Sequence, residues 1–78
     1  MPTRQEVQVL VRETIRGCGI PTSQLARDAG LSRAALNAWT AGRRTPQPES
    51  MLQLAGGLRH RAARLEELAA ELERAAGE

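Results

Sequence analysis

The chain has 78 residues, enough for one small domain with a modest core. Trp39 is its only aromatic side chain, which excludes a site where single-stranded bases stack on several aromatic rings. The net charge is only +2, yet residues 1–64 hold ten of the eleven arginines and four of the nine acidic residues, so this part of the chain favours a polyanionic partner.

Cysteine and histidine each occur once, as Cys18 and His60. The sequence therefore offers no internal disulfide and no metal cluster, and it lacks the residue sets of nucleophilic catalysis and of phosphate-binding loops. We expect a protein without enzymatic activity, metal, cofactor or small-molecule ligand. The sequence has no apolar run long enough to cross a membrane and no N-terminal leader, so we also expect a cytoplasmic protein without a membrane span.

The first predicted helix begins at a T-x-x-E capping box formed by Thr3 and Glu6. It runs to about Arg16, and the glycines that follow end it. Its apolar side repeats at helical spacing and consists of Val7, Leu10, Val11, Thr14 and Ile15. Its solvent side consists of Arg4, Arg12, Glu13 and Arg16. Arg12 and Arg16 are either solvated or in contact with a phosphate.

Helices 2 and 3 are predicted on either side of a tight turn. Helix 2 begins either with Pro21 in its first turn or with Thr22 as its N-cap, and Gly30 is placed to close it in a left-handed conformation. Ser32 then caps helix 3, which ends at Gly42. Two helices this short bury little between them, so we expect their function to lie on the outer face of helix 3. Small, polar and cationic side chains on that face suit a DNA major groove, and they are Arg33, Ala34, Asn37 and Ala38.

A basic loop with Arg43 and Arg44 follows, and helix 4 opens after it at Pro48. Every cation in the chain is Arg, which suits bidentate contacts to phosphate or guanine, although codon bias gives the same pattern. Gly56 and Gly57 each lower helix propensity by about 1 kcal/mol relative to Ala, which predicts a hinge or a helix end. The predicted buried face of helix 4 consists of Met51, Leu52, Leu54, Ala55 and Leu58.

A fifth helix is predicted from Leu58 to Ala76, a stretch without helix breakers. Either it packs back on helices 1 and 4, or it pairs with the same helix of a second subunit, which we favour. Arg64 and Glu71 occupy matching positions of the seven-residue repeat and would meet in an antiparallel pair. The expected dimer interface consists of Leu58, Ala62, Leu65, Leu68, Ala69 and Leu72.

The run from Thr22 to Leu58 resembles the helix-turn-helix family of phage Cro and lambda-type repressors, also called the XRE family. The resemblance rests on matching local patterns: Leu25-Ala26, Gly30-Leu31-Ser32-Arg33, Leu36, Trp39, Gly42-Arg43-Arg44-x-Pro46, and P-x-x-E-x-x-L-x-x-A-x-x-L ending at Leu58. It implies an all-α, five-helix lambda-repressor-like fold in which helices 2 and 3 form the helix-turn-helix. Residues 1–57 would form the DNA-binding domain, and residues 58–78 a dimerisation helix of the same compact unit.

Two positions depart from the family pattern. Many members pair an Arg in helix 1 with a Glu near the end of helix 3, but Ile15 or a neighbour and Thr40 stand there in this chain. We expect that site to have become apolar. Many members also carry a phosphate-contacting Gln at the start of helix 2, where this chain has Thr22, whose hydroxyl and helix N-terminus could serve instead.

The resemblance implies binding to double-stranded DNA. Arg33 can donate two hydrogen bonds to guanine, and Asn37 can contact adenine or a phosphate. Ala34 and Ala38 would allow close approach and touch thymine methyl groups. The expected phosphate contacts are Thr22, Ser23, Ser32, Arg43 and Arg44.

The leading hypothesis is a homodimeric repressor that binds an inverted-repeat operator, encoded by a bacterium, phage or mobile element and located at the nucleoid. The alternative is an antitoxin-like protein whose C-terminal helix binds a different chain. A protein of that kind should be monomeric or polydisperse when it is alone.

Overall fold

The computed structural model describes residues 1–77, which form four α-helices and no strand. The helices are α1 (Arg4–Gly17), α2 (Thr22–Ala29), α3 (Arg33–Thr40) and α4 (Pro48–Gly77). An all-α fold is confirmed over this range. Glu78, the last residue of the predicted dimerisation segment, lies outside the described residues. No helix of the described chain is both long and apolar enough to cross a membrane.

The start of α1 follows from the capping box. The Thr3 hydroxyl accepts a hydrogen bond from the Glu6 N–H at 3.1 Å and donates one to the Glu6 carboxylate, also at 3.1 Å. The first bond satisfies one of the N–H groups that the beginning of a helix leaves unpaired. The helix ends at Gly17, after which the Cys18 N–H donates to the Thr14 carbonyl at 3.1 Å. The predicted first helix is confirmed, although Leu10 of its predicted apolar side is 61% exposed and Arg12 of its predicted solvent side is half-buried.

The turn between α2 and α3 is specified by local residue chemistry. Gly30 has φ +70°, a left-handed conformation that costs glycine little. This conformation lets the Leu31 N–H donate to the Ala26 carbonyl at 2.9 Å. The Ser32 hydroxyl then accepts from the Ala35 N–H at 3.0 Å and caps α3. The predicted helix-turn-helix geometry is confirmed.

The core lies where α1, α2, α3 and the first part of α4 meet. Leu25 and Leu36 are fully buried at its centre. Aliphatic side chains and the one tryptophan supply all of it, as the composition requires, because no phenylalanine or tyrosine is present. The full set of buried residues in this cluster is Val11, Ile15, Leu25, Ala26, Ala29, Leu36, Trp39 and Leu54.

The predicted break at Gly56 and Gly57 is wrong, because α4 is continuous through both glycines. A Cβ atom built at Gly57 would lie 2.8 Å from the Cβ of Ala29, so glycine there permits α4 to approach α2 closely. Packing therefore outweighs the loss of helix propensity, which is about 1 kcal/mol per glycine. The predicted helices 4 and 5 are one helix, and the five-helix count becomes four.

An ion pair also ties α4 to α2. The Nε and Nη2 atoms of Arg61 each lie 2.9 Å from Oδ2 of Asp28. Gln24 donates to the other carboxylate oxygen of Asp28 at 2.9 Å. Both oxygens of this carboxylate are therefore hydrogen-bonded, and α4 is held in place as far as Arg61.

The exposed leucines of α4 require two corrections. Leu52, predicted to be buried, is 73% exposed. It lies two positions before Leu54, which is slightly more than half a helical turn, so the two side chains point to opposite sides of the helix. The alternative in which a fifth helix packs back on the domain is also wrong. The same helix continues from the core without a break, and beyond Arg61 it leaves its leucines exposed: Leu65 57%, Leu68 38% and Leu72 72%.

Candidate nucleic-acid interface

The outer face of α3 presents Arg33, Ala34 and Asn37 to solvent. Arg33 and Asn37 are four residues apart, so they lie one turn apart on the same side of the helix. Neither side chain makes a hydrogen bond within residues 1–77, and both are therefore free to bind another molecule. An arginine and an asparagine in this arrangement match the donors and acceptors that guanine and adenine present in a major groove.

Ala38 does not belong to this face. It is 6% exposed, and the chain turns back over it at Gly42, where the Arg43 N–H donates to the Ala38 carbonyl at 3.0 Å. Its methyl group has almost no surface to offer a base. This burial argues against the base contact that we predicted for Ala38 and leaves Ala34 as the exposed small residue.

The basic loop after α3 is held against the start of α1. The Thr45 hydroxyl accepts two hydrogen bonds, one from Arg4 Nε and one from Gln8 Nε2, both at 2.9 Å. Arg43 and Arg44 are exposed beside it and share a cleft with Arg4. Three guanidinium groups therefore surround one polar cleft. The sequence pattern places Arg4 only on the solvent side of the first helix, because no local signal connects it to a loop so distant along the chain.

Arg12 lies about one helical turn before Ile15 on α1 and reaches the end of α3. Its Nε donates to the Thr40 carbonyl at 3.1 Å, and its side chain is half-buried. Ile15, where the sequence comparison places the family's arginine, is 5% exposed in the core, which agrees with the expectation of an apolar site. The acceptor that Arg12 meets at the end of α3 is the last carbonyl of that helix and not a carboxylate. That carbonyl has no partner within its own helix and carries the negative end of the helix dipole, so it attracts a guanidinium group.

The remaining polar residues of the predicted site lie at the starts of α2 and α3. Thr22 is the first residue of α2 and is half-buried, and Ser23 beside it is exposed. Pro21 is the N-cap residue and provides no side-chain cap, so both starts that the sequence offers, Pro21 in the first turn and Thr22 as N-cap, are wrong. Ser32 is exposed, and its oxygen is engaged in capping α3, which leaves its hydroxyl proton available.

A family model described as helix-turn-helix matches residues 13–59. The match spans more than half of the chain and includes the whole of α2, α3 and the basic loop. No curated protein and no solved structure matches the chain.

Proposed function

Because the chain belongs to the helix-turn-helix family of the XRE and lambda-repressor type, a family of DNA-binding regulators, we propose that it is a homodimeric repressor. It binds an inverted-repeat operator through the major groove. The observation that carries the proposal is the outer face of α3, where Arg33 and Asn37 are exposed, unpaired within residues 1–77, and one helical turn apart. Repression follows from occupation of the operator.

The bases are recognised by the side chains of α3 that are exposed and make no hydrogen bond within residues 1–77. Arg33 donates two hydrogen bonds to O6 and N7 of a guanine, and Asn37 pairs with an adenine edge or a phosphate. Ala34 lets the helix backbone approach and contacts a thymine methyl group. A good bidentate contact supplies about 1 to 3 kcal/mol of discrimination against the wrong base.

Phosphate contacts position the protein without reading sequence. Arg43 and Arg44 clamp the backbone after α3, and Arg4 joins them because Thr45 holds it beside the loop. On the other side of α3, hydroxyl groups complete the set of phosphate contacts, and they come from Thr22, Ser23 and Ser32. These contacts give the affinity a strong dependence on salt, because each neutralised phosphate releases counterions.

Specificity at one half-site is limited, since a single domain of this size contacts only a few base pairs. A dimer on two half-sites doubles the number of bases read. The second subunit is held by the exposed apolar face of α4, so residues 58–77 act as the dimerisation segment and the preceding residues as the DNA-binding domain.

The test is selection of bound fragments from random duplex DNA, followed by titration of the selected site and a scrambled duplex. We expect Arg33→Ala to lose about 1 to 3 kcal/mol on the selected site and little on the scrambled one. Arg43→Ala should weaken binding to both duplexes and lower the salt slope by about one counterion. Arg74→Ala removes the same charge from the far end of α4 and serves as the control.

Two outcomes contradict the proposal. If Arg33→Ala and Arg43→Ala weaken both duplexes equally, α3 does not read bases. If no sequence is enriched above the random pool at physiological salt, the chain is not a sequence-specific regulator.

A further inference from the structure

The apolar stripe of α4 continues the face that the domain core already uses. The spacings between Leu54, Leu65 and Leu72 are close to whole numbers of helical turns, so the three side chains lie on one side of the helix. Leu54 is 4% exposed in the core, whereas Leu65 is 57% and Leu72 72% exposed. One helical face thus passes from a buried to an uncovered environment along a helix without a break.

The uncovered part of α4 is divided by charge. Its first half carries Arg59, Arg64 and the half-buried Arg61, and the following turns carry Glu66, Glu67, Glu71 and Glu73 with a single cation, Arg74. Parallel pairing of two such helices would place the acidic halves side by side, which is unfavourable. Antiparallel pairing places the cationic half of each helix along the acidic half of the other. The charge pattern therefore favours a second copy of this helix as the partner of the exposed stripe, in an antiparallel orientation.

We propose that a second copy of this chain covers the stripe with its own α4 in an antiparallel arrangement, Leu65 of each subunit packing against Leu68 of the partner subunit. This inference rests on the proposed homodimer and specifies its register. Ala62 then faces Ala69 of the partner subunit, where two methyl groups allow the helices to approach closely. Arg64 faces Glu71 of the partner subunit, twice by symmetry.

This register suits the groove between α1 and α4. The groove is lined by apolar atoms of Leu10, Thr14, Ala55 and Leu58, and Leu10 is 61% exposed. In the proposed register, Ala75 of the partner subunit lies against Leu58 at the mouth of this groove. A small side chain at that point fits beside α1, and the end of the partner's helix covers Leu10.

Arg61 and Arg64 carry charges that could be unfavourable in this register. The contacts of each side chain in the structure remove the conflict. Arg61 would face a leucine of the partner, but it is turned towards Asp28, which its Nη2 atom meets at 2.9 Å. Arg64 lies 3.2 Å from Glu67 of its own helix, and both side chains are more than half exposed. An exposed pair of this kind contributes little, so Arg64 can exchange it for the partner's Glu71 at small cost.

The register also fixes how far apart the two domains lie. Leu54 and its symmetry equivalent are separated by the equivalent of about 25 helical residues, which corresponds to about 37 Å along the paired helices. One helical turn of DNA is about 34 Å. We therefore expect operator half-sites whose centres are one turn apart.

The first experiment uses disulfide trapping in a Cys18→Ser background, which removes the only native thiol. Ala62→Cys and Ala69→Cys are made in separate chains, and each is oxidised alone and after mixing. The proposed register predicts a covalent dimer only in the mixture, because position 62 faces position 69. Cross-linking of each variant alone would show parallel pairing and overturn the proposal.

The second experiment measures the mass of the protein in solution without DNA. Leu65→Glu should give a monomer, and Leu52→Glu, a matched control on the opposite side of α4, should leave the dimer intact. Arg64→Glu and Glu71→Arg should each raise the dimer dissociation constant about tenfold, and the double variant should restore it. A dimer that survives Leu65→Glu refutes the proposed interface while leaving the repressor function open, since DNA titration tests that function separately. A native chain that is monomeric or polydisperse refutes the homodimer itself and favours a different partner chain.

Discussion

Gly57 lies against Ala29 so closely that a Cβ atom at position 57 would come within 2.8 Å of the Ala29 Cβ and backbone nitrogen. Ala29 is the last residue of α2, immediately before the turn that leads into α3. This contact therefore sets the distance between the long helix and the helix-turn-helix. It therefore couples the position of α4, the proposed dimerisation helix, to the orientation of α3, the helix that we propose contacts the bases.

We predict that Gly57→Ala destabilises the fold by about 1 to 3 kcal/mol, because the added methyl group has no space unless α4 moves away from α2. Gly56→Ala is the matched control, since a Cβ there meets no atom within 4 Å. It should stabilise the protein by about 0.5 to 1 kcal/mol through higher helix propensity. Chemical denaturation measures both, and shifts of the same sign would show that the contact is looser than described.

We predict that Arg12→Met lowers the free energy of unfolding by about 1 kcal/mol, because Met keeps the aliphatic contacts but leaves the Thr40 carbonyl without its donor. Arg16→Met is the control, since Arg16 is exposed and makes no side-chain hydrogen bond within residues 1–77. Affinity for DNA should also fall, because the Arg12 guanidinium lies beside Gly42, where the basic loop begins. Equal stability of the two variants would mean that the bond to Thr40 contributes nothing to the fold.

The pH dependence of stability should report on Asp28. Partial burial of its carboxyl, which alone would raise the pKa, is outweighed by hydrogen bonds from Gln24 and Arg61 and by the charge of Arg61, so the pKa of Asp28 is lowered. A lowered pKa in the folded state means that the carboxylate stabilises the fold above its unfolded pKa of about 3.9. That contribution disappears as the pH falls through the lower folded value.

We therefore predict that Asp28→Asn melts at a lower temperature than the native chain at pH 7, and that the difference shrinks progressively below about pH 4. Glu13→Gln is the control for removing an acidic charge, because Glu13 is exposed and unpaired in the described chain. Thermal melts followed by circular dichroism between pH 2 and 7 test this. A difference that stays constant down to pH 2 would show that ionisation of the Asp28 carboxyl does not account for it.

Local chemistry was enough to predict the helix boundaries that depend on it. Thr3, Gly30 and Ser32 act on backbone groups a few residues away, so their positions in the sequence carry the necessary information. Leu52 was misplaced although strict helical spacing would have put it opposite Leu54. Leucine is usually buried, and this general preference led to the wrong prediction although the helical spacing in the sequence was sufficient to correct it.

The error at Gly57 and the unpredicted contact of Arg12 have a different origin. Local sequence rules predict a helix break at a glycine pair. The helix continues because α2, which comes much earlier in the chain, packs closely against Gly57. Arg12 finds a backbone carbonyl 28 residues away, and no side-chain pattern marks that partner. Of the candidate site, the sequence located Arg33 and Asn37 on an exposed face, whereas the link from Arg4 to the basic loop depends on tertiary structure.

We finally predict that Thr45→Val weakens DNA binding several-fold without changing sequence preference. Valine keeps the shape of threonine but cannot accept the hydrogen bonds from Arg4 and Gln8, so the loop with Arg43 and Arg44 loses its attachment to α1. Because Arg4 and Gln8 can return to water, the free energy of unfolding should change by less than about 1 kcal/mol.

Thr14→Val is the matched control, since the Thr14 hydroxyl bonds only to the Leu10 carbonyl of its own helix at 2.8 Å. Titrations of the selected and scrambled duplexes across a range of salt concentrations separate the possibilities. Thr45→Val should lose affinity for both duplexes in the same proportion and show a shallower salt dependence than the native chain, because fewer arginines are held near phosphates. A loss confined to the selected duplex would instead mean that Thr45 acts on α3, and unchanged binding would remove Arg4 from the interface.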